Sequence, residues 1–105
     1  MAARVCALAE LRSGEARRFE VGGRAVAVVR IDDDVYAIGD TCSHADVSLS
    51  EGEVLADERE IECWKHGSTF SLLDGEPQSL PAVRPVPVYR ARVEGDEVLI
   101  EVDDG

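Results

Sequence analysis

The stretch Val86-Pro-Val-Tyr-Arg-Ala-Arg-Val-Glu-Gly-Asp-Glu-Val-Leu-Ile-Glu-Val102 reads as two strands joined by a tight turn. Val86, Val88, Arg90 and Arg92 alternate with Tyr89, Ala91 and Val93, a period of two that sends successive side chains to opposite faces of a sheet. Glu94-Gly95-Asp96 supplies the turn, and 97–102 resumes the β pattern, so the segment predicts a hairpin. Further upstream, Arg24-Ala-Val-Ala-Val-Val-Arg30 is rich in β-branched residues and too continuously apolar for a strand with one solvated face. Turn signals recur at short spacing at Ser13-Gly14, Gly22-Gly23, Asp32 to Asp34, Gly39-Asp40, Glu51-Gly52, Asp57-Glu58 and Asp74-Gly75. Short strands between such signals predict an all-β domain, a small antiparallel sandwich or barrel. Only Cys6 to Leu11 has a helical flavour, and it is equally well the first strand. The acidic end from Glu101 to Gly105 is expected to fray.

A chain of 105 residues is one domain, 1–105, on ordinary size grounds. Eleven Lys plus Arg against 22 Asp plus Glu give a formal charge of −11. Nucleic-acid binding rests on neutralising phosphates with basic side chains, so this balance argues against it, and against anionic membrane surfaces too. It suits a basic patch on a protein partner. No apolar run approaches the roughly 20 residues that cross a bilayer, and the start of the chain reads as too short in its apolar stretch for a secretory signal. The expectation is a cytoplasmic protein without membrane attachment. Three cysteines, Cys6, Cys42 and Cys63, are an odd number and argue against a disulfide framework.

Four of the five Cys and His residues fall into two tight groups. Cys42-Ser43-His44 is a Cys-x-His, and Cys63-Trp64-Lys65-His66 a Cys-x-x-His, with eighteen residues between His44 and Cys63. Both lie in stretches without strand periodicity, where side chains one or two residues apart can converge on one metal centre. Two sites use two thiolates and two imidazoles: tetrahedral zinc, or a [2Fe–2S] cluster with both thiolates on one iron and both imidazoles on the other. Structural zinc modules usually pair Cys with Cys and His with His, whereas here each group contributes one of each in the same order. That order favours the binuclear cluster, and zinc remains the structural alternative. All four prolines lie between Glu76 and Pro87, which predicts a stiff surface loop leading into a strand.

Cys42-Ser-His44 with Cys63-Trp-Lys-His66-Gly67-Ser68 resembles the Rieske motif. Leu49-Ser-Glu-Gly52, Phe70, Asp74-Gly75-Glu-Pro77, Leu80-Pro-Ala and Pro85-Val-Pro-Val-Tyr89 extend the resemblance to the small Rieske-type ferredoxins of bacterial multicomponent ring-hydroxylating dioxygenases, those of biphenyl dioxygenase type among them. The resemblance implies a Rieske fold with two cluster-binding loops and a Pro-rich loop at one tip. It implies a cluster-binding part over about 38–87 on a base of 1–37 and 88–105. One [2Fe–2S] cluster per chain would be held by Cys42, His44, Cys63 and His66, with Ser68, Trp64, Phe70 and Pro81 around it. It also implies a monomeric one-electron carrier between an NAD(P)H-dependent flavoprotein reductase and a terminal non-haem-iron oxygenase. Alternatives are the small Rieske-like subunit of a nitrite reductase-type complex, or an accessory or redox-sensing protein of iron–sulfur assembly.

Departures from the respiratory Rieske pattern carry information. Val47 and Lys65 stand where those proteins place a disulfide, and Phe70 where they place a tyrosine. A lost hydrogen bond to a cluster sulfur, in a chain of charge −11, predicts a potential toward the low end of the Rieske range, about −150 mV. Ser68 retains a donor. Trp64 stands where many relatives have proline, and it either shields the cluster or packs in the core. Lys65 and Arg84 are rare positive charges near the expected tip, Asp46 reads as a loop acid, and Cys6 as a buried strand thiol. With both histidines committed, no base remains for a triad and no ligands for a mononuclear iron. No G-x-G-x-x-G follows a strand to bind a dinucleotide. The chain is expected to carry electrons without a catalytic site of its own.

Overall fold

The structure, a computed structural model, describes residues 2–42, 47–65, 67–78 and 84–101. Its strands are β1 (Ala2–Ala7), β2 (Glu15–Val21), β3 (Arg24–Ile31), β4 (Asp34–Gly39), β5 (Val54–Leu55), β6 (Glu60–Glu62), β7 (Thr69–Ser71), β8 (Val88–Glu94) and β9 (Glu97–Glu101). Every pairing is antiparallel. Six strands form one sheet in the order β1-β9-β8-β4-β3-β2, and β5-β6-β7 form a second, smaller one. The edge strands β1 and β2 approach each other, so the larger sheet curls into a nearly closed barrel. Among the described residues, helix is confined to two 3₁₀ turns, Leu8–Glu10 and Leu49–Glu51.

The continuous apolar run in β3 has a simple cause. Ala27, Val29 and Ile31 face one buried cluster, while Val26 and Val28 face another. The strand is covered on both sides, and alternation between apolar and polar residues is not needed. Behind it, inside the barrel, lie Cys6, Leu11, Val21, Ala37, Val98 and Ile100. In front of it, under the small sheet, lie Ile38, Leu49, Ile61, Phe70, Leu72 and Val86 together with Cys42 and Cys63. Each fully buried valine or isoleucine of these layers stabilises the fold by roughly 1.5–3 kcal/mol.

The hairpin expected at the end of the chain is β8–β9, with Glu94 opposite Glu97 across the Gly95-Asp96 turn. β8 starts at Val88 rather than Val86. Pro87 has no N–H to give a ladder, and the Val86 N–H is spent on the Gly75 carbonyl at 2.9 Å, which ties that residue to the small-sheet side. Glu101 does not fray: it pairs with Ala2 on one side and Arg90 on the other, and 102–105 lie outside the described residues. The segment from Cys6 to Leu11 resolves into both alternatives, strand through Ala7 and then a single 3₁₀ turn.

Candidate metal centre

β4 leads straight into the first Cys/His group. Past Gly39 the chain bends at Asp40, and Thr41 is then bridged antiparallel to Ser48. The Cys42 N–H donates to the Val47 carbonyl at 3.0 Å, and the Leu49 N–H to the Asp40 carbonyl at 2.6 Å. These bonds clamp the outgoing and returning limbs into a finger, with Cys42 the last described residue of the outgoing limb. His44 and Asp46 belong to 43–46, outside the described residues.

The second group is built the same way between β6 and β7. The Cys63 N–H donates to the Ser68 carbonyl at 2.7 Å, and the Gly67 N–H donates to the Cys63 carbonyl at 2.9 Å. Gly67 has φ +76°, a left-handed turn that brings the chain back within five residues and that residues with a Cβ adopt at a cost. His66 lies outside the described residues. Trp64 is 54% exposed, which removes the core-packing alternative for it, and Lys65 is exposed beside it.

Both cysteine side chains point inward. Cys42 is 4% and Cys63 0% exposed, and the two enter one apolar cluster with Leu49, Ile61, Phe70, Leu72 and Val86. Phe70 and Ser68 are fully buried. The third side comes from the chain after β7. Phe70 bridges to Pro77, Gln78 N–H donates to the Thr69 carbonyl at 2.7 Å, and Val86 closes the cluster from the end of the proline-rich segment. Pro81 lies outside the described residues, and Arg84 is exposed. Cys6 sits in the other core, on β1, where burial, and secondarily the Glu10 carboxylate, raise its thiol above the ordinary 9.0.

Two features had no sequence signal strong enough to find them. Asp40, read only as a turn residue, is 2% exposed, and its carboxylate accepts from the Ser48 hydroxyl at 2.5 Å and the Ser50 N–H at 3.0 Å. The Arg18 guanidinium, reaching across from β2, stands 3.3 Å from the same carboxylate. The second is Gly52, where a Cβ would lie 1.7 Å from the Glu62 carbonyl oxygen. The bare backbone there lets the first finger lie directly against β6, the strand that feeds the second.

Two inward-facing cysteines, each in a short backbone-clamped finger, fit the sulfur half of an iron–sulfur site. Within an all-β shell this arrangement is compatible with a small iron–sulfur electron carrier, the class to which its likeness to known proteins assigns the chain. The sequence matches the model of the Rieske [2Fe-2S] domain over residues 1–90. It is 36% identical over 102 residues to the biphenyl 2,3-dioxygenase ferredoxin component of Rhodococcus jostii (strain RHA1), covering 97% of this chain and 94% of that one. The fold superposes on the ferredoxin of carbazole 1,9a-dioxygenase from Nocardioides aromaticivorans IC177 with a TM-score of 0.93. Identity there is 42%, and coverage 95% and 96% of the two chains. A second likeness, TM-score 0.86 and 39% identity over 94% of this chain and 100% of that one, is to a structure described as a complex of reduced oxygenase and oxidized ferredoxin in carbazole 1,9a-dioxygenase. The chain belongs to the Rieske [2Fe-2S] family. It is a ferredoxin, an electron carrier that takes one Rieske-type cluster.

Proposed function

We propose that Cys42 and Cys63 supply the thiolates and His44 and His66 the imidazoles for the cluster. We further propose that the chain passes single electrons from a flavoprotein NAD(P)H reductase to a terminal non-haem-iron oxygenase acting on aromatic rings. The observation that carries this is the pair of buried cysteines, each in a backbone-clamped finger, with a histidine two residues further along the sequence after Cys42 and three residues further after Cys63. When bound, the cluster supplies a one-electron couple whose potential is raised over that of four-Cys ferredoxins, because neutral imidazoles replace two thiolates.

The protein's own residues do the rest. Buried sulfur positions keep water from the inner half of the site, and Phe70 seals it with a ring that has no hydroxyl to donate. Trp64 and Lys65 form the exposed collar of the second finger, where a partner would dock. Around this site we take 38–87 as the cluster-binding part and 1–37 with 88–105 as the base of one domain. No helix among the described residues is long and apolar enough to cross a membrane, and a cytoplasmic location accords with reductase and oxygenase partners.

A small subunit held permanently on a large enzyme is the second reading. Among the described residues the exposed large hydrophobics are Trp64, Leu73 and Val88, too few for the broad apolar face an obligate interface needs. The test of the site is electron paramagnetic resonance of the dithionite-reduced protein. A rhombic signal with average g below that of an all-thiolate cluster is expected, lost or altered in His44→Cys and His66→Cys. A colourless protein with one stoichiometric zinc and no acid-labile sulfide overturns it.

A further inference from the structure

The Asp40 carboxylate is buried, hydrogen-bonded and ion-paired, yet it has no part in the ligand set. We propose that Asp40 is the positioning residue of the first finger and that, with Arg18, it sets the local charge against which the cluster is reduced. The inference rests on Cys42 being a ligand.

The geometry is specific. Asp40 stands at the bend that follows β4, and it and Cys42 are both buried on either side of exposed Thr41, so the carboxylate-bearing residue and the cysteine lie within about 7 Å of each other at Cα. The main chain of Asp40 is fixed at both ends: its N–H donates to the Ala25 carbonyl on β3 at 3.1 Å, and its carbonyl accepts from Leu49. Its side chain reaches over to the returning limb and takes the Ser48 hydroxyl and the Ser50 N–H. The Ser48 hydroxyl also lies 2.7 Å from that of Ser50, so both limbs of the finger close on one carboxylate. Among the described residues, Asp40 and Ser68 are the buried polar side chains, which marks this carboxylate as an exception in the interior.

Burying a carboxylate is costly unless it is paired and hydrogen-bonded. Arg18 is the pairing group, and it is itself half-exposed and shared with Glu20 at 3.4 Å. Its compensation is therefore partial. A residual negative charge beside the thiolate end disfavours adding an electron, whereas removing Arg18 would expose the whole of it. The same pair thus does two separable things. The hydroxyl and amide bonds hold the finger's shape, and the carboxylate charge acts on the potential.

Four variants of the cluster-loaded protein separate them, each read by midpoint potential, by the reduced-state resonance spectrum and by the rate of iron release to a chelator. Asp40→Asn keeps an acceptor for the Ser50 N–H and a donor for the Ser48 oxygen but removes the charge, so the potential rises while the spectrum holds. Arg18→Gln leaves the charge uncompensated, and the potential falls. Ser48→Ala opens the clamp without changing charge, so iron release quickens several-fold with little change in potential. Asp96→Asn, in the β8–β9 turn, removes an equal charge on the base hairpin and shifts the potential less than Asp40→Asn. Equal shifts for Asp40→Asn and Asp96→Asn, or no opposite movement with Arg18→Gln, overturn the charge role. Unchanged iron release in Ser48→Ala overturns the positioning role. A wild-type protein without the mixed-ligand spectrum sinks the ligand assignment itself, which is a distinct result.

Discussion

Three cysteines with one chemistry have two different fates, decided by where the fold puts them. Cys42 and Cys63 stand in two clamped fingers and share one apolar cluster, while Cys6 is walled into the barrel core behind β3. Cys6→Ala is expected to keep the full cluster complement, whereas Cys42→Ser or Cys63→Ser loses it, as iron and acid-labile sulfide analysis will read. Burial raises the Cys6 thiol, so the folded state prefers the protonated form more strongly than the unfolded chain does. The associated stability is complete below about 9.0 and declines as pH climbs from there toward the raised folded value. Melting profiles at pH 8 and 10 should therefore converge in Cys6→Ala relative to wild type; an unaltered difference refutes it. Phe70 offers the complementary test. Phe70→Tyr places a hydroxyl inside the apolar cluster that holds Cys42 and Cys63, where an unsatisfied group costs about 1–3 kcal/mol. If it donates to a cluster sulfur the reduced state is favoured, and the expected result is a higher midpoint potential with modest loss of melting temperature.

The elements that position the site meet by backbone contact rather than by side-chain packing alone, which makes the finger–strand junction at Gly52 a sharp probe. An added Cβ would sit 1.7 Å from the Glu62 carbonyl oxygen, so the first finger must lift off β6 or the Glu62 N–H to Glu53 carbonyl bond of 2.8 Å must break. Gly52→Ala is expected to cost about 3 kcal/mol, a fall of on the order of 10 °C in Tm. A loss below ~0.5 kcal/mol by denaturant titration contradicts the contact. The β8–β9 hairpin and β3 were legible in the sequence because period two and the Gly-Asp turn are local signals. So were the two fingers, whose Cys and His spacings carry chemistry no strand requires. Not legible were β5, β6 and β7, two or three residues each, too short to show a period. The Asp40–Arg18 pair was equally hidden: it joins residues 22 apart in the chain, and nothing around Asp40 distinguishes it from a solvated turn aspartate. Trp64 was ambiguous because an aromatic beside a ligand serves cover or core equally, and only the placement of the second finger decided for exposure.

At the scale of the whole molecule, the charge of −11 and, among the described residues, the small number of exposed large hydrophobics govern how the protein meets others. Among the described residues the exposed large hydrophobics are Trp64 at the second finger and, neighbouring one another near the β4–β8 junction, Leu73 and Val88, a small apolar area, so the purified chain is expected to elute from gel filtration as a monomer. Its encounters are steered instead by long-range charge. At about 0.01 M salt the screening length is ~30 Å, larger than the protein's 12.6 Å radius of gyration, so a basic patch on a partner feels the summed negative field. At about 0.15 M the length falls to ~8 Å, and only charges near the contact still count. The second-order rate of electron transfer from a flavoprotein reductase should thus drop on the order of tenfold across that range, while the rate within a preformed complex stays level. On the proposed docking at the second finger, exposed Trp64 would be the apolar anchor of that encounter. Trp64→Ala should weaken the complex through faster dissociation, by about 2 kcal/mol or more, without changing the salt slope. A salt-independent second-order rate would remove the steering argument, and an unchanged dissociation rate in Trp64→Ala would move the docking face away from the second finger.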